Sequence, residues 1–212
     1  MKKAVKAIAL SCLMLLLLPA ALSLAAETVN IELPAPLWLQ KDERWRDVFL
    51  NVDAGGKELT IGKAGCTLCC LACAESVRTG EKVTPFDMLF RVQFTGDEVQ
   101  WPKGYEALAR SQEGLWVRQA APILLACLQS GRPALVSLHS KELGTHWVVV
   151  YGCQDLDPEN PQTAHFLIRD PGTKDRTTFN MAKEYFPEIR VIRTYDATDE
   201  LRAVAEAALL AE

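Results

Sequence analysis

The sequence predicts an α+β fold in which helices come first and an antiparallel sheet follows. Apolar residues recur at helical spacing between residues 66 and 130. Segments rich in Val, Leu and Ile then follow at 134–139, 145–153 and 164–169, as is typical of strands. Strands alternating with helices would instead predict a parallel sheet, and the sequence does not show that order.

The segment over 27–60 is predicted to be mostly irregular, because Pro and Gly residues interrupt any periodic pattern. Trp38 and Trp45 are expected to anchor this segment to the rest of the domain. A helix is predicted over 66–79, and Gly80 ends it.

Three further helices are predicted before the sheet. A Thr-Pro pair, as N-cap and first helical residue, predicts a helix near 85–93. Another is expected near 104–112. A third covers 120–130, where Pro lies in the first turn and Gly131 follows the last.

The last part of the chain completes the sheet and ends in a helix. A polar, Pro-containing loop over 155–162 separates two strands, and short strands are expected near 175–179 and 189–195. An amphipathic helix covers 198–211. With no repeat or low-complexity linker in the sequence, we expect one domain over 26–212.

The first 25 residues have the layout of a secretory signal peptide. Three lysines precede an apolar run over 7–22, and small residues follow at 23–25, where cleavage is expected. Extended to Ala26, the run approaches the about twenty residues of a spanning helix, so an uncleaved membrane anchor stays open. We therefore expect an exported protein, periplasmic or extracellular.

Composition and charge exclude several classes of function. Apolar residues make up 49% and charged residues 24% of the 212, as in ordinary globular proteins. Removing residues 1–25 removes three lysines and no acidic residue, which changes the net charge from −4 to −7. Without a run of Lys or Arg, no nucleic-acid partner is expected. A single apolar stretch of spanning length also excludes a channel or transporter.

Six cysteines remain after the first 25 residues, and four of them lie within residues 66–73. Disulfide frameworks spread along a chain, so this clustering argues against one, although a single bridge from Cys127 or Cys153 stays open. A thiol-redox site at Cys66 and Cys69 would follow a strand in a βαβ unit, which the sequence does not predict.

A zinc site formed by the clustered cysteines is a further alternative. Four ligands on one helix face cannot readily surround an ion tetrahedrally, and the sequence offers no second cluster of ligands. The interpretation we favour is that Cys69, Cys70 and Cys73 are small apolar residues of the core.

Four residues form a candidate catalytic set. Cys66 follows Gly65 and opens a helix, where the dipole favours a thiolate; the glycine would let a substrate backbone approach. His146 begins an apolar strand, and Asp170 ends the next strand, where it would orient the imidazole. The amide of Gln40 would donate to a developing oxyanion.

These residues lie within short motifs that resemble the peptidase C39-like family of cysteine peptidases. The motifs cover residues 38–45, 61–66, 131–133, 144–152 and 169–172. Their order along the chain matches the family over about residues 33–195. Thr67 stands where the family often has Gly, and Cys69 and Cys70 replace a small polar pair, yet neither departure removes a catalytic group.

The resemblance implies a papain-like fold in which a helical half with the nucleophile helix packs on an antiparallel sheet. It also implies that Cys66 is the nucleophile, His146 the general base and then acid, Asp170 the orienting residue and Gln40 the oxyanion donor. No metal or organic cofactor is required.

The sequence therefore predicts an exported cysteine hydrolase that acts on a peptide-like or protein substrate. A non-catalytic binding module on the same fold and an acyltransferase with the same site remain alternatives, and Cys66 as a buried structural thiol is a third. The oligomeric state and the substrate stay open.

Overall fold

A computed structural model of the protein describes residues 27–96 and 98–211. The predicted signal peptide, or uncleaved anchor, over residues 1–25 lies outside them. Within the described ranges, no helix combines the length and apolarity needed to cross a membrane.

The structure is mixed α+β, as predicted. Its strands are β1 (Val29–Glu32), β2 (Phe49–Val52), β3 (Glu58–Thr60), β4 (Gln93–Thr95), β5 (Glu98–Gln100), β6 (Tyr105–Leu115), β7 (Ala134–Ser140), β8 (Gly144–Leu156), β9 (Phe166–Arg169) and β10 (Glu188–Tyr195). Its helices are α1 (Ile61–Ala64), α2 (Cys66–Thr79), α3 (Pro85–Leu89), α4 (Val117–Gln129), α5 (Phe179–Lys183) and α6 (Asp199–Leu210), with a 3₁₀ turn at Thr163–His165.

A six-stranded antiparallel sheet organises the molecule. Its strand order is β1-β8-β7-β10-β6, and β9 pairs with β8 as well. The long strand β8 therefore has three partners, which makes it the best supported strand of the sheet. Two small hairpins, β2-β3 and β4-β5, lie outside this sheet.

The two faces of the sheet bury different helices. Side chains of successive strand residues point to opposite faces. Leu135 and Val149 belong to the core that includes α2, whereas Val136 and Val148 belong to the core that includes α4 and α6. Because both faces are covered, β7 and the middle of β8 are apolar almost without interruption.

Helix α2 has the predicted bounds. It ends at Gly80, whose φ of 72° is the left-handed conformation that favours glycine at a helix C-terminus. Gly65 connects α1 to α2, and a Cβ there would lie 2.4 Å from the carbonyl oxygen of Ile61. The expectation that Gly65 admits a substrate backbone is therefore wrong, since this buried glycine permits a tight turn between two helices.

Two sequence predictions of local structure are wrong. The helix expected near 104–112 is strand β6, which pairs with β10 along nearly its whole length. The segment 27–60 is mostly irregular, as predicted, although it also contains the short strands β1 to β3, and β1 joins the main sheet through β8. The strand expected near 175–179 contributes only one bridge, between Leu167 and Thr178, before α5 begins.

Other elements agree with the sequence within a few residues. Helix α3 is shorter than predicted, and Thr84 caps it through reciprocal hydrogen bonds with Asp87. Helix α4 begins three residues earlier than predicted, and Gly131 follows it with a φ of 74°. Trp38 and Trp45 are buried and pack edge to face against each other.

Candidate active site

Cys66 is the first residue of α2, where backbone N–H groups lack partners within the helix and the dipole favours negative charge. The residue is half-buried. Its thiol lies close enough to the imidazole of His146, the backbone N–H of Trp147 and the hydroxyl of Thr67 for each of these groups to lower its pKa. Two adjacent residues of β8 thus face the start of α2.

His146 lies near the start of β8, and only 8% of its surface is exposed. Its ring stacks on Phe186, with centroids 4.9 Å apart and an interplanar angle of 25°. Nε2 lies 2.7 Å from Oδ1 of Asp170, so Nδ1 is the nitrogen left for Cys66. Packing and hydrogen bonding together fix the orientation of the imidazole.

Asp170 directly follows β9, and it is almost completely buried. Strands β8 and β9 are antiparallel neighbours with Arg169 opposite Val149, which brings Asp170 to His146 as predicted. Arg176 donates to Oδ2 of Asp170 at 2.8 Å, and the backbone N–H of Gly172 donates to Oδ1 at 2.7 Å. The carboxylate is therefore charge-paired and held from both sides.

Arg176 was missed by the sequence analysis. It lies in an irregular turn six residues after Asp170, and no motif connects the two residues. Its guanidinium also lies 4.6 Å from the ring centroid of Tyr185. This stacking and the ion pair position Arg176 behind the carboxylate.

Gln40 lines the same cleft as Cys66. Its backbone N–H donates to the carbonyl of Pro171 at 2.9 Å, which connects it to the turn after Asp170. Its Nε2 donates to the carbonyl of Gly62 at 3.2 Å, while its buried Oε1 has no hydrogen-bond partner. One of the two N–H groups on Nε2 is thus engaged, and the other remains for a ligand.

The pKa values of Cys66 and His146 move in opposite directions. Burial disfavours the thiolate, but the contacts with His146 and the N–H of Trp147 outweigh burial and lower the pKa of Cys66. Burial also disfavours the imidazolium, yet the contacts with Asp170 and Cys66 raise the pKa of His146 to about 9. The arrangement therefore favours a thiolate-imidazolium pair.

The other cysteines differ from Cys66 in burial and in the direction of their pKa shifts. All six cysteines of the described chain are free thiols, and Cys66 is the only one of them that is not buried. Burial raises the pKa of Cys73 and of Cys127 to about 12, and it raises the pKa of Cys69 and Cys70 as well. Over the described residues, no group of three or more potential ligands is arranged to hold a metal ion.

The cleft beside Cys66 has a volume of about 610 Å³. The lining residues are Gln40, Lys63, Ala64, Cys66, Thr67, Glu98, Val99, Trp101, Arg110, Ser137, Leu143, Thr145, His146, Trp147, Phe186, Val191 and Arg193. Trp101 forms part of this wall and also packs against the core beneath it. Trp116, outside the cleft, is 66% exposed. Nothing in the sequence pattern distinguishes these tryptophans from core residues.

The structure thus brings Gln40, Cys66 and His146 to one cleft, with Asp170 buried behind His146. Neither a protein-family model, nor a curated protein, nor a solved structure matched the chain. The resemblance to the peptidase C39-like family consequently rests on the sequence motifs, and the roles of the four residues remain predictions.

Proposed function

We propose that this protein is an exported cysteine hydrolase with a papain-like, peptidase C39-like domain that cleaves peptide or similar amide bonds. The observation that carries this proposal is the hydrogen bond between His146 and Asp170 beside Cys66, with Cys66 and His146 both lining an open cleft. A nucleophile, a base and a group that orients the base are the parts that acyl transfer through a thiol requires.

In the first step the thiolate of Cys66 attacks the carbonyl carbon of the substrate. Negative charge then develops on the carbonyl oxygen. The backbone N–H of Cys66, at the start of α2, and the remaining N–H of the Gln40 amide would donate to it. Donors fixed by backbone hydrogen bonds stabilise this charge without having to reorganise.

In the next steps His146 moves the protons. The imidazolium gives its proton to the departing amine, the C–N bond breaks, and an acyl-thioester forms on Cys66. His146 then takes a proton from water, which attacks the thioester and releases the carboxylic acid with Cys66 restored. Asp170, paired with Arg176, holds the ring in place and stabilises its charged form.

The decisive test is the pH dependence of alkylation by iodoacetamide at Cys66, located by peptide mapping. The pKa of an unperturbed cysteine thiol is about 8.5. We expect Cys66 to react rapidly at about pH 5–6 and to lose that reactivity in His146→Ala. His139→Ala is the matched control, because His139 lies on the neighbouring strand β7 and its imidazole forms a hydrogen bond with the Thr145 hydroxyl rather than with Cys66 or Asp170.

Slow labelling with an ordinary thiol profile would contradict the proposal and would favour a binding module on the same fold. Cleavage itself is tested by incubating the protein with a peptide library and identifying products by mass spectrometry, with Cys66→Ala as the blank. Products that appear equally with Cys66→Ala would contradict hydrolysis at this site.

A further inference from the structure

The cleft wall away from α2 carries two arginines on neighbouring strands. Arg110 lies on β6 opposite Val191 of β10, and Arg193 lies two residues further along β10. Both arginines line the same cleft as Cys66. The ion pairs found among described residues include neither of them.

Arg193 stacks on an aromatic ring, but no carboxylate of the described residues pairs with it. Its guanidinium lies 4.4 Å from the ring centroid of Trp101, and its buried Nε has no hydrogen-bond partner. Burial, followed by repulsion from Arg110, lowers the pKa of Arg193 to about 10. Because its Nε is shielded from solvent, the terminal nitrogens of this arginine, which lines the cleft without an ion-pair partner, are the groups that an anionic ligand would meet.

The balance of charge in the cleft agrees with an anionic ligand. Lys63, Arg110 and Arg193 line it, against the single described carboxylate of Glu98. The whole chain has a net charge of −4, so this positive wall is opposite in sign to the molecule that carries it. The fork of an arginine matches the two oxygens of a carboxylate.

A continuous aromatic surface connects this wall to the reactive thiol. The backbone N–H of Trp147 contacts the Cys66 thiol, and its ring lies 4.9 Å from that of Trp101. Trp101 in turn lies under Arg193. A ligand extended along these rings would reach from the carbonyl attacked by Cys66 to the two guanidinium groups.

We propose that Arg110 and Arg193 form a subsite for a carboxylate of the substrate, a few residues along the chain from the bond that Cys66 attacks. The inference rests on the proposed hydrolase function and adds the substrate class, which is acidic peptides or peptides bound through their free C-terminal carboxylate. Both substrate types present a carboxylate, either on an acidic side chain or at the C-terminus, and a separate probe is needed for each.

The test uses iodoacetyl peptides, which react when a thiolate displaces iodide and forms a thioether. One series carries Glu after zero to three glycines, and a matched series carries Gln, both with amidated C-termini. Each glycine extends the reach by about 3.5 Å. A third series ends in Gly with a free carboxylate. The rate constant for labelling Cys66 is measured for every reagent.

We expect the Glu or free-acid reagent to react at least about 10-fold faster than its neutral partner at one spacer length. The ratio of the two rate constants should fall towards one in Arg193→Met and in Arg110→Met. It should be partly retained in Arg193→Lys. Arg202→Met removes an equal charge from the surface pair with Glu106 and should leave the preference unchanged. Thermal unfolding of each variant verifies that it folds.

Equal rates for charged and neutral reagents at every spacer length would overturn the subsite. A preference that survives in both methionine variants would do the same. The neutral series alone reports on activation of Cys66, so slow neutral reagents would count against the hydrolase proposal while the ratio still decides the subsite.

Discussion

Cys66 and the three cysteines that follow it belong to one helix, yet their thiols have opposite properties. The pKa of Cys66 is lowered, while the pKa values of Cys69, Cys70 and Cys73 are raised. Cys66 lies in the first turn and faces His146, whereas the others are buried in the apolar core between α2 and the sheet. Position on the helix, rather than residue type, therefore determines reactivity.

Charge on one thiol also suppresses ionisation of its neighbours. After burial, the next contribution that raises the pKa of Cys69 and Cys70 is repulsion from a charged Cys66. A thiolate at the start of the helix consequently keeps the thiols behind it protonated. The low pKa of Cys66 and the high pKa values of Cys69 and Cys70 therefore support each other.

The largest expected difference is in alkylation of the native protein. At neutral pH we expect iodoacetamide to label Cys66 at least about 1000-fold faster than Cys69, Cys70 or Cys73, because those thiols are both protonated and closed to the reagent. Quantitative mass spectrometry of the tryptic peptides measures the ratio. Cys73→Ala should leave the labelling of Cys66 unchanged. Similar rates at all four positions in the folded protein would contradict the comparison.

The next effect concerns the residue that orients His146. Asp170→Asn should lower the rate of peptide hydrolysis by about 10²- to 10⁴-fold, because the imidazolium loses its partner and the ring its fixed orientation. Kinetics on any peptide that the wild type cleaves measure this.

Asp175→Asn is the matched control, since Asp175 is an exposed carboxylate in the same turn. A rate for Asp170→Asn within a factor of two of that of the wild type would remove Asp170 from the proposed mechanism.

The pH dependence of hydrolysis should separate the two partners. The thiolate requires a pH above the lowered pKa of Cys66, and protonation of the leaving amine requires a pH below the pKa of His146, about 9. Activity should therefore rise through the acidic range, reach a plateau and fall about 10-fold per unit above pH 9. A fall that begins near pH 6.5, the value of an unperturbed histidine, would contradict the raised pKa.

The smallest effect expected is on stability. Cys70→Ser should lower the free energy of unfolding by about 1–3 kcal/mol, because a hydroxyl replaces a thiol that is fully buried among apolar side chains. Urea unfolding measures the change. Cys70→Ala reports the effect of the lost volume, so the difference between the variants isolates the hydroxyl. A serine variant as stable as the wild type would indicate a polar environment.

The sequence predicted the residues of the candidate site better than the surroundings that tune them. Cys66 follows a glycine at a helix start, and Asp170 ends the strand after the one that His146 begins; these local patterns, the order of the residues and the resemblance of their motifs to a known family were the signals. Arg176 contacts Asp170 from a turn, and Arg193 reaches the cleft because β10 lies between β6 and β7. Contacts of this kind depend on strand order, which local patterns do not contain.

Strand β6 shows why one element was predicted wrongly. Its sequence contains Ala, Leu, Arg and Glu, which are good helix formers. Pairing with β10 along Tyr105–Leu115 satisfies its backbone, and packing of α6 covers part of it. Tertiary interactions therefore override local propensity. By contrast, α2 was predicted with correct bounds because its apolar residues, its start and its terminal glycine all agree.

Strand β8 has a consequence for local unfolding and amide hydrogen exchange. From Val149 to Cys153 its backbone has partners on both sides, β9 on one side and β7 or β1 on the other, so these amides can exchange only when much of the sheet opens. His146, nearer the start of the strand, pairs with β7 alone. The β4-β5 hairpin that leads into Trp101 pairs only with itself and opens at a lower free energy. We therefore expect the amides of the middle of β8 to exchange last, and those of the β4-β5 hairpin and of the strand end that carries His146 to exchange earlier.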